Sequence, residues 1–356
     1  MKKLSVCILF GGVSPEHEVS LRSAESVLNH IDHEKYNIFP VGITRDGDWL
    51  YFGGKDYSEL PAGTWAENPN NRRAAISPIR GQGLLRFEGD CVVRERIDVV
   101  FPVMHGENCE DGAVQGLLQL AGIPYVGPHI AASAVSMDKT LTKLVVDHAG
   151  VPQAAWHLVR RADLEHRMEQ QVQILEKKFT YPMFVKPAGT GSSVGVSKAM
   201  NREALCTALT AAAAFDSKIL VEEFIDGREI EVAVMGNDNP AASVCGEIDS
   251  GAEFYDYEAK YVTDTSTAYI PARISEEVEE EVREMAVKVY SAIGCQGLSR
   301  VDFFVTRADN RIVFNEINTL PGFTSISMYP KLFAASGIPY SQLIDELLQL
   351  AMEARE

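Results

Sequence analysis

The chain has 356 residues, of which 46% are hydrophobic, and a formal net charge of −17 at pH 7. This length exceeds one ordinary core and predicts two or three domains. The charge argues against sequence-independent binding to nucleic acid or to an anionic membrane. No apolar run reaches the roughly 18–20 residues of a membrane span, and the N-terminus lacks the pattern of a signal peptide. Six scattered cysteines without a C-x-x-C pair indicate reduced thiols, as in a cytoplasmic protein.

The N-terminal region has the pattern of an α/β domain. A strand is predicted over Leu4–Phe10, and Ser14 with the following proline and Glu16 predicts the start of a helix. A second buried strand, Ile97–Met104, ends at His105. Ligands of open α/β sheets bind at the carboxyl ends of strands, so we expect the turn after Phe10 and His105 to line one site. G-x-G-x-x-G is absent, so a Rossmann cofactor is not predicted.

A short run after this strand, His105, Cys109, Glu110 and Asp111, has the residue types of a zinc site. No second pair of soft ligands lies nearby in the sequence. We therefore interpret the run as a loop that follows a sheet strand, without zinc.

The central region places two lysines where phosphates are expected. Lys139 lies in the first turn of a helix predicted to begin at Ser136, where the helix dipole disfavours a cation unless an anion lies between them. Lys186 ends a strand and precedes the loop AGTGSSVGVSK. This loop is not a P-loop, but a glycine-rich hairpin can fold its N–H groups over phosphates as a mobile lid. The alternative is an ordinary flexible hairpin.

Two apolar runs between Ser299 and Asn318 predict a β-hairpin that carries polar side chains. Asp302 lies on the first strand, and Glu316 and Asn318 share a face of the second. These oxygen ligands suit Mg²⁺, and Arg300 adds a cation beside them. For Asp302 to oppose Glu316, the hairpin needs an odd loop or a bulge, expected near its turn at 308–310. The alternative is a surface hairpin with solvated acids.

Seven motifs together resemble the ATP-grasp ligases and, within them, the D-alanine–D-alanine ligase family. They are SPEHEVSL, HGENCEDG, MDK, KPAGTGSSVG, VEEFIDGREIEV, the loop SGAEFYDYEAKYVTDTSTAYI and PGFTSIS. The resemblance covers nearly the whole chain. It implies a three-domain α/β fold with a Rossmann-like N-terminal domain (1–135), a central domain (136–226) and a C-terminal domain (227–356). ATP is then expected between the last two domains.

The resemblance also implies the reaction and the residues. ATP phosphorylates one D-alanine to an acyl phosphate, and a second D-alanine attacks it to form D-alanyl-D-alanine for peptidoglycan, in a cytoplasmic homodimer. The implied catalytic residues are Glu16, Ser192, Tyr261, Arg300, Gly322 and Ser327. The implied substrate contacts are His105, Lys260 and Met328. The implied ATP contacts are Lys139, Lys186, Glu222, Glu223, Phe224, Ile225 and Glu229. The implied metal ligands are Asp302, Glu316 and Asn318, for two Mg²⁺ ions that Mn²⁺ can replace.

Three interpretations stay open at this point. Glu231, on the strand with Glu229, is interpreted as a solvated acid. A relative that joins D-alanine to D-lactate or D-serine is a rival, although the segment from Tyr255 to Tyr261 resembles the dipeptide-forming type. A non-catalytic nucleotide-binding protein is the rival from another class, and loss of a metal ligand or of Arg300 would have indicated it. The Gly189–Gly195 and Ser250–Ile270 loops are both expected to order with ligand.

Overall fold

The computed structural model describes residues 3–191, 194–249 and 267–354. Its strands form three sheets that follow one another along the chain. The fold is α/β, as predicted, and the three sheets fall within the three predicted segments. The domain boundaries themselves stay a prediction.

The first sheet has the strand order β6-β5-β4-β3-β2-β1-β7. Its strands are β1 (Leu4–Gly11), β2 (Tyr36–Ile43), β3 (Trp49–Tyr51), β4 (Arg72–Ile76), β5 (Leu84–Glu88), β6 (Cys91–Glu95) and β7 (Val99–Val103). β1 pairs in parallel with β2 and β7, and the remaining pairs are antiparallel. The carboxyl ends of β1 and β7 are therefore neighbours, which brings the loops after both strands to one place.

The second sheet has the order β10-β9-β11-β8, and all its pairs are antiparallel. Its strands are β8 (Trp156–Arg160), β9 (Met183–Pro187), β10 (Ser197–Ala199) and β11 (Lys218–Glu223). Lys186 lies at the end of β9, opposite Leu220 of β11.

The third sheet is antiparallel, with the order β14-β13-β12-β15-β16. Its strands are β12 (Gly227–Gly236), β13 (Ala241–Asp249), β14 (Thr267–Tyr269), β15 (Gly297–Thr306) and β16 (Ile312–Asn318). The central pair, β12 and β15, places Glu231 opposite Asp302. All three predicted metal ligands, Asp302, Glu316 and Asn318, lie on β15 and β16.

The helices cover the sheets and complete three apolar cores. They are α1 (His17–His30), α2 (Ala113–Ala121), α3 (Ile130–Met137), α4 (Lys139–His148), α5 (Arg161–Lys178), α6 (Arg202–Phe215), α7 (Glu276–Ile293), α8 (Met328–Ala335) and α9 (Tyr340–Glu353), with short 3₁₀ turns at Tyr57–Glu59 and Trp65–Glu67. α5 and α6 share a core with the second sheet, and α7 with the third. α8 and α9 pack into the core of the first sheet.

Two predicted helix starts are wrong. α1 begins at His17 and not at Ser14, whose Oγ instead accepts from the backbone N–H of Glu16 at 3.1 Å. Ser136 lies inside α3, and α4 begins after Asp138, whose carboxylate accepts from the N–H groups of Thr140 and Leu141. A short acidic cap therefore separates α3 from α4, and the predicted start falls in the last turn of α3.

The apolar residues of α4 do not define its buried face. Leu141 and Leu144 are exposed, whereas Lys143 and Val146 are buried. Val146 packs in the core of the third sheet, whereas Lys143, three residues earlier, carries a charge and pairs with Glu222 of the second sheet. This charged position matters for the site described below.

The hairpin of β15 and β16 has the predicted register. Asp302 opposes Glu316, and Arg300 opposes Asn318. The predicted bulge is present, but it does not lie near the turn at 308–310 where we expected it. The register shifts between Asp302 and Phe303, which leaves Asn315 as the extra residue of β16. Without that extra residue Asn315 would oppose Asp302, because side chains alternate along a strand.

Candidate active site

The carboxyl ends of β1 and β7 meet at a glycine turn. Glu16, at the N-terminus of α1, is almost buried. A Cβ on Gly106, which follows His105 and has φ +72°, would lie 2.5 Å from Glu16 Oε2 and from Ser14 Oγ. Only glycine fits this approach, so the two loops are in direct contact, as the sequence predicts.

His105 joins this turn to the segment after β16. Its Nδ1 lies 3.0 Å from the carbonyl oxygen of Leu320, which can only accept, so Nδ1 carries the proton. Its Nε2 is then the acceptor for Ser23 Oγ at 3.3 Å. Ser23 Oγ in turn accepts from the N–H of Phe323 at 3.2 Å. Burial lowers the pKa of His105, which keeps the imidazole neutral. The ring therefore fixes the loop, and its contact with a substrate stays a prediction.

Glu110 makes a second bridge between the same two segments. Its Oε2 accepts from the N–H of Gly106 at 2.8 Å, and its Oε1 from the N–H of Leu320 at 3.3 Å. Desolvation and the nearby carboxylate of Glu16 raise the pKa of Glu110 to about 8. Two carboxylates are thus held at a site where a bound cation would relieve their repulsion.

Arg300 is held on the strand face by two acids. Its Nε and Nη2 donate to the two oxygens of Asp302 at 2.8 and 2.7 Å, and Nε lies 3.2 Å from Glu231 Oε2. Burial opposes the charge, but Asp302 and Glu231 raise the pKa of Arg300 well above its usual range. The interpretation of Glu231 as a solvated acid is wrong: it is 5% exposed and lies on the side of β12 that faces Asp302.

The metal ligands predicted from sequence lie together. Asp302 and Glu316 are directly opposed, and Asn318 Nδ2 donates to Asp302 Oδ2 at 3.0 Å. No group of three or more His, Cys, Asp and Glu side chains is gathered for a metal within the described residues. Two carboxylates and an amide remain a chemically suitable donor set for Mg²⁺, whose other ligands are commonly waters and phosphates.

The segment after β16 presents hydroxyl and N–H groups. Ser327 Oγ accepts from the N–H of Thr324 at 3.0 Å and lies 2.8 Å from its hydroxyl. A Cβ on Gly322 would come within 2.8 Å of Ser327 Oγ, so the turn is closed on itself. Met328 begins α8 with its side chain in the core, which leaves its N–H at the positive end of the helix.

Two lysines lie on either side of Glu222: Lys186, which was predicted to contact phosphate, and Lys143, which was not. Lys186 Nζ lies 2.7 Å from Glu222 Oε2. Lys143 Nζ lies 2.6 Å from Oε1, although poorly aligned for a hydrogen bond. Burial opposes the shift, but the two lysines lower the pKa of Glu222 to about 2. Lys139 donates to the carbonyl oxygen of Thr190 at 2.6 Å and thereby holds the start of the glycine-rich loop.

The remaining predicted ATP contacts lie at the end of β11 and the start of β12. Glu223 Oε1 accepts from the N–H of Ala155 at 2.8 Å. The Phe224 ring stacks on Phe184 at 6.0 Å, and Ile225 follows it. Glu229 lies on β12 opposite Phe304. Their contact with a nucleotide stays a prediction.

Two cavities collect most of the predicted residues. The larger, of about 930 Å³, is lined among others by Glu16, His105, Arg300, Glu316, Asn318, Gly322, Ser327 and Met328. The smaller is lined by Lys139, Lys143, Lys186, Glu222, Glu316 and neighbouring residues. Glu316 lines both, so this carboxylate lies between the larger space and the lysine-rich one.

Three predicted residues lie outside the described part of the chain: Ser192, Lys260 and Tyr261. The predicted ordering of the Gly189–Gly195 and Ser250–Ile270 loops falls largely on the same segments. These interpretations stay predictions.

Comparison with known proteins identifies the family. The profile "D-ala D-ala ligase N-terminus" matches residues 5–128, and "D-ala D-ala ligase C-terminus" matches residues 145–349. The chain belongs to the D-alanine–D-alanine ligase family. The D-alanine–D-alanine ligase of Ruminiclostridium cellulolyticum is 50% identical over 366 residues, covering 100% of this chain and 97% of that protein.

Solved structures of this family have the same fold. The D-Ala:D-Ser ligase of Enterococcus faecalis has a TM-score of 0.89 at 39% identity, with 98% of this chain and 100% of that chain covered. The D-alanine–D-alanine ligase of Coxiella burnetii has a TM-score of 0.86 at 34% identity, with 100% and 95% covered. No helix within residues 3–191, 194–249 and 267–354 is both long and apolar enough to cross a membrane.

Sequence reasoning missed three charged residues of the ligase site. Lys143 lies four residues after Lys139, and this spacing puts both on one face of α4. Glu231 lies two residues after Glu229, and alternation puts both on one face of β12. The spacing of the two lysines and the alternation of the two glutamates were both visible in the sequence. Glu110 was considered only as a zinc ligand, and its bridge to Leu320 spans 210 positions in sequence.

The raised pKa of Glu110 makes the stability of the folded protein fall as pH rises. A carboxyl whose pKa is raised in the folded state favours folding below its unfolded pKa of about 4.3, and loses that contribution as pH rises through the folded value. Between pH 5 and 8.5, the midpoint of wild-type unfolding should therefore fall relative to that of Glu110→Gln, which does not titrate. Urea unfolding of both variants across this range measures the difference.

The Gln variant also loses one acceptor for an N–H group, which shifts its stability by a constant amount at every pH. Both proteins keep His105 and Arg300, so the comparison measures the loss of the Glu110 carboxyl together with its coupling to neighbouring charges. A difference that is flat from pH 5 to 8.5 contradicts a raised pKa at Glu110.

Proposed function

We propose that this protein joins two D-alanine molecules into D-alanyl-D-alanine with hydrolysis of ATP to ADP and phosphate, for the synthesis of peptidoglycan precursors. Family membership over nearly the whole chain supports the reaction. The single structural observation that carries the proposal is Glu316, which lines both the lysine-rich cavity and the larger one. A phosphoryl group passing from nucleotide to amino acid crosses this position.

The first step builds charge between the two cavities. The γ-phosphoryl group of ATP transfers to the carboxylate of the first D-alanine and gives an acyl phosphate. Lys139 and Lys186 lie where they can hold phosphate oxygens. The resemblance to the ligase family assigns Lys260 to the phosphates as well. Fixed cations stabilise such a transfer because they need no reorganisation as charge develops. Glu16 faces the ammonium of this D-alanine, and that cation would relieve the repulsion between Glu16 and Glu110.

The second step is attack by the amine of the second D-alanine, after which phosphate leaves. Arg300 and the N–H of Gly322 are assigned to the oxyanion that forms at the attacked carbon. Ser327 and the N–H of Met328 receive the carboxylate of the second D-alanine, at the positive end of α8. His105 holds the loop that carries Gly322. The resemblance to the ligase family assigns Ser192 and Tyr261 to the closed site.

Magnesium suits the hairpin residues. Asp302, Glu316 and Asn318 would hold it, and two ions are proposed, with Mn²⁺ as a substitute. When bound, the metal neutralises negative charge on phosphate oxygens. Arg300 donates to both oxygens of Asp302 and so supplies positive charge beside this buried carboxylate.

The remaining assignments complete the proposal. The segment Glu222–Ile225 contacts adenine, and Glu229 accepts from the ribose hydroxyls. ATP lies between a central domain (136–226) and a C-terminal domain (227–356), after an N-terminal domain (1–135). The protein works as a homodimer in the cytoplasm.

Substrate competition tests the function. ATP hydrolysis should require D-alanine, and the product from equal D-alanine, D-serine and D-lactate should be mainly the D-alanyl dipeptide. The similarity to a D-Ala:D-Ser ligase makes D-serine the critical competitor. Preferential D-alanyl-D-serine formation would replace the proposed second substrate. ATP binding without any D-alanine-dependent turnover would support a nucleotide-binding protein instead.

Arg300 separates catalysis from binding. Arg300→Ala should lower kcat by about 10²–10³, because one donor to a developing oxyanion typically contributes about 2.7–4 kcal/mol, and should change the KM for ATP much less. Steady-state kinetics of both substrates measure this. Arg307→Ala is the matched control, since Arg307 is an exposed arginine in the turn of the same hairpin.

Removal of Arg300 also leaves Asp302 and Glu231 without their shared cation, so unfolding midpoints are measured alongside the rates. Arg300→Lys, which keeps the charge without the two-pronged geometry, should fold normally and still lose most of kcat. A normal kcat with only a raised KM for ATP would assign Arg300 to binding.

A further inference from the structure

Beneath the lysine-rich cavity, two lysines share a single glutamate, so positive side chains outnumber negative ones in this group. Glu222 lies between two lysines, Lys143 at 2.6 Å and Lys186 at 2.7 Å. The side chains of Lys143 and Glu222 are 2% and 5% exposed, whereas that of Lys186 is 16% exposed. Only Lys186 therefore reaches appreciably toward solvent. Lys143 lies behind the carboxylate, on the buried face of α4.

Lys139 and Glu316 also line this cavity, and against that constant background the three charges change what an anion experiences. Glu222 and Lys186 alone would form a neutral pair, which attracts a phosphate weakly beyond short range. With Lys143 the three side chains sum to one positive charge. Water does not screen Lys143 well, because it is buried, so its charge acts over a longer distance than that of a surface lysine.

We propose that Lys143 is a positioning residue for nucleotide binding, which neutralises Glu222 and so leaves the charge of Lys186 available to phosphate. This inference rests on the proposed function, because it takes nucleotide phosphates to lie at Lys186. Lys143 does not contact the nucleotide in this proposal; it acts on the nucleotide through Glu222 and Lys186. Its contribution therefore scales with the charge of the ligand, not with contacts to the base.

Two further contacts show why the position is fixed. The carbonyl oxygen of Lys143 accepts from Gln153 Nε2 at 2.8 Å, which ties α4 to the chain that enters the second sheet. Lys139, one turn earlier on α4, donates from its backbone N–H to the carbonyl oxygen of Ala188 at 3.0 Å. α4 thus aligns with the strand end that carries Lys186, and Lys143 is held at a constant distance from Glu222.

The test compares adenosine and ATP, which share the base and differ in charge. Calorimetric titration without metal gives the ratio of ATP to adenosine affinity, and effects on the base cancel in this ratio. Lys143→Met should lower the ratio by about tenfold or more, since it removes a poorly screened unit charge. Lys143→Arg, which keeps the charge, should retain most of the wild-type ratio of ATP to adenosine affinity. ADP should fall between the two ligands.

The double variant Lys143→Met with Glu222→Gln separates charge from structure. It restores a net charge of one positive unit, from Lys186 alone, so its ratio should return to within about threefold of wild type. A purely structural role for Lys143 predicts a further loss. A ratio unchanged in Lys143→Met, or lowered there and not recovered in the double variant, overturns the inference.

Folding does not block the test. Removing one member of a buried ion pair can unfold a protein, whereas replacing both is often tolerated. If Lys143→Met fails to fold, the double variant decides: a ratio near wild type supports the inference, and a collapsed ratio overturns it. Wild type that does not bind ATP at all would refute the proposed function instead, which keeps the two failures distinct.

Discussion

Charged side chains inside a protein need partners, and this requirement organises the site. Desolvating a single charge is costly, and the buried acids Asp302, Glu231 and Glu222 each lie beside a cation. Arg300 is shared by Asp302 and Glu231, and Glu222 is shared by two lysines. Strand pairing places these groups before any ligand arrives. The sheets thus position the charged side chains of the site.

The sequence predicted the parts of this arrangement that depend on local periodicity. Alternation along β16 placed Glu316 and Asn318 on one face, and the need to oppose Asp302 required an irregular register. The bulge at Asn315 meets that need, but its position was not predictable. A turn with glycine or asparagine is visible in sequence, whereas a bulge inside a strand depends on how two buried faces fit.

The missed residues depend on contacts between distant segments. Lys143 occupies a buried position because Glu222, far along the chain, supplies its counter-charge. Apolar pattern alone favours Leu144 for such a position, yet Leu144 is exposed. Glu231 was judged from its own strand, although its partner Arg300 lies on the neighbouring one. Hydrophobic periodicity predicts burial well for apolar side chains and poorly for charges that are buried in pairs.

The packing of α9 links the two ends of the polypeptide. Leu343, Leu347 and their neighbours share one core with β1, although more than 300 residues separate them. On the ribosome, that face of the first sheet stays open until α9 emerges. The first sheet can therefore gain its full stability only after α9 has been made, and an early product exposes apolar surface to chaperones. Loss of α9 would then act on the part of the enzyme that was made first.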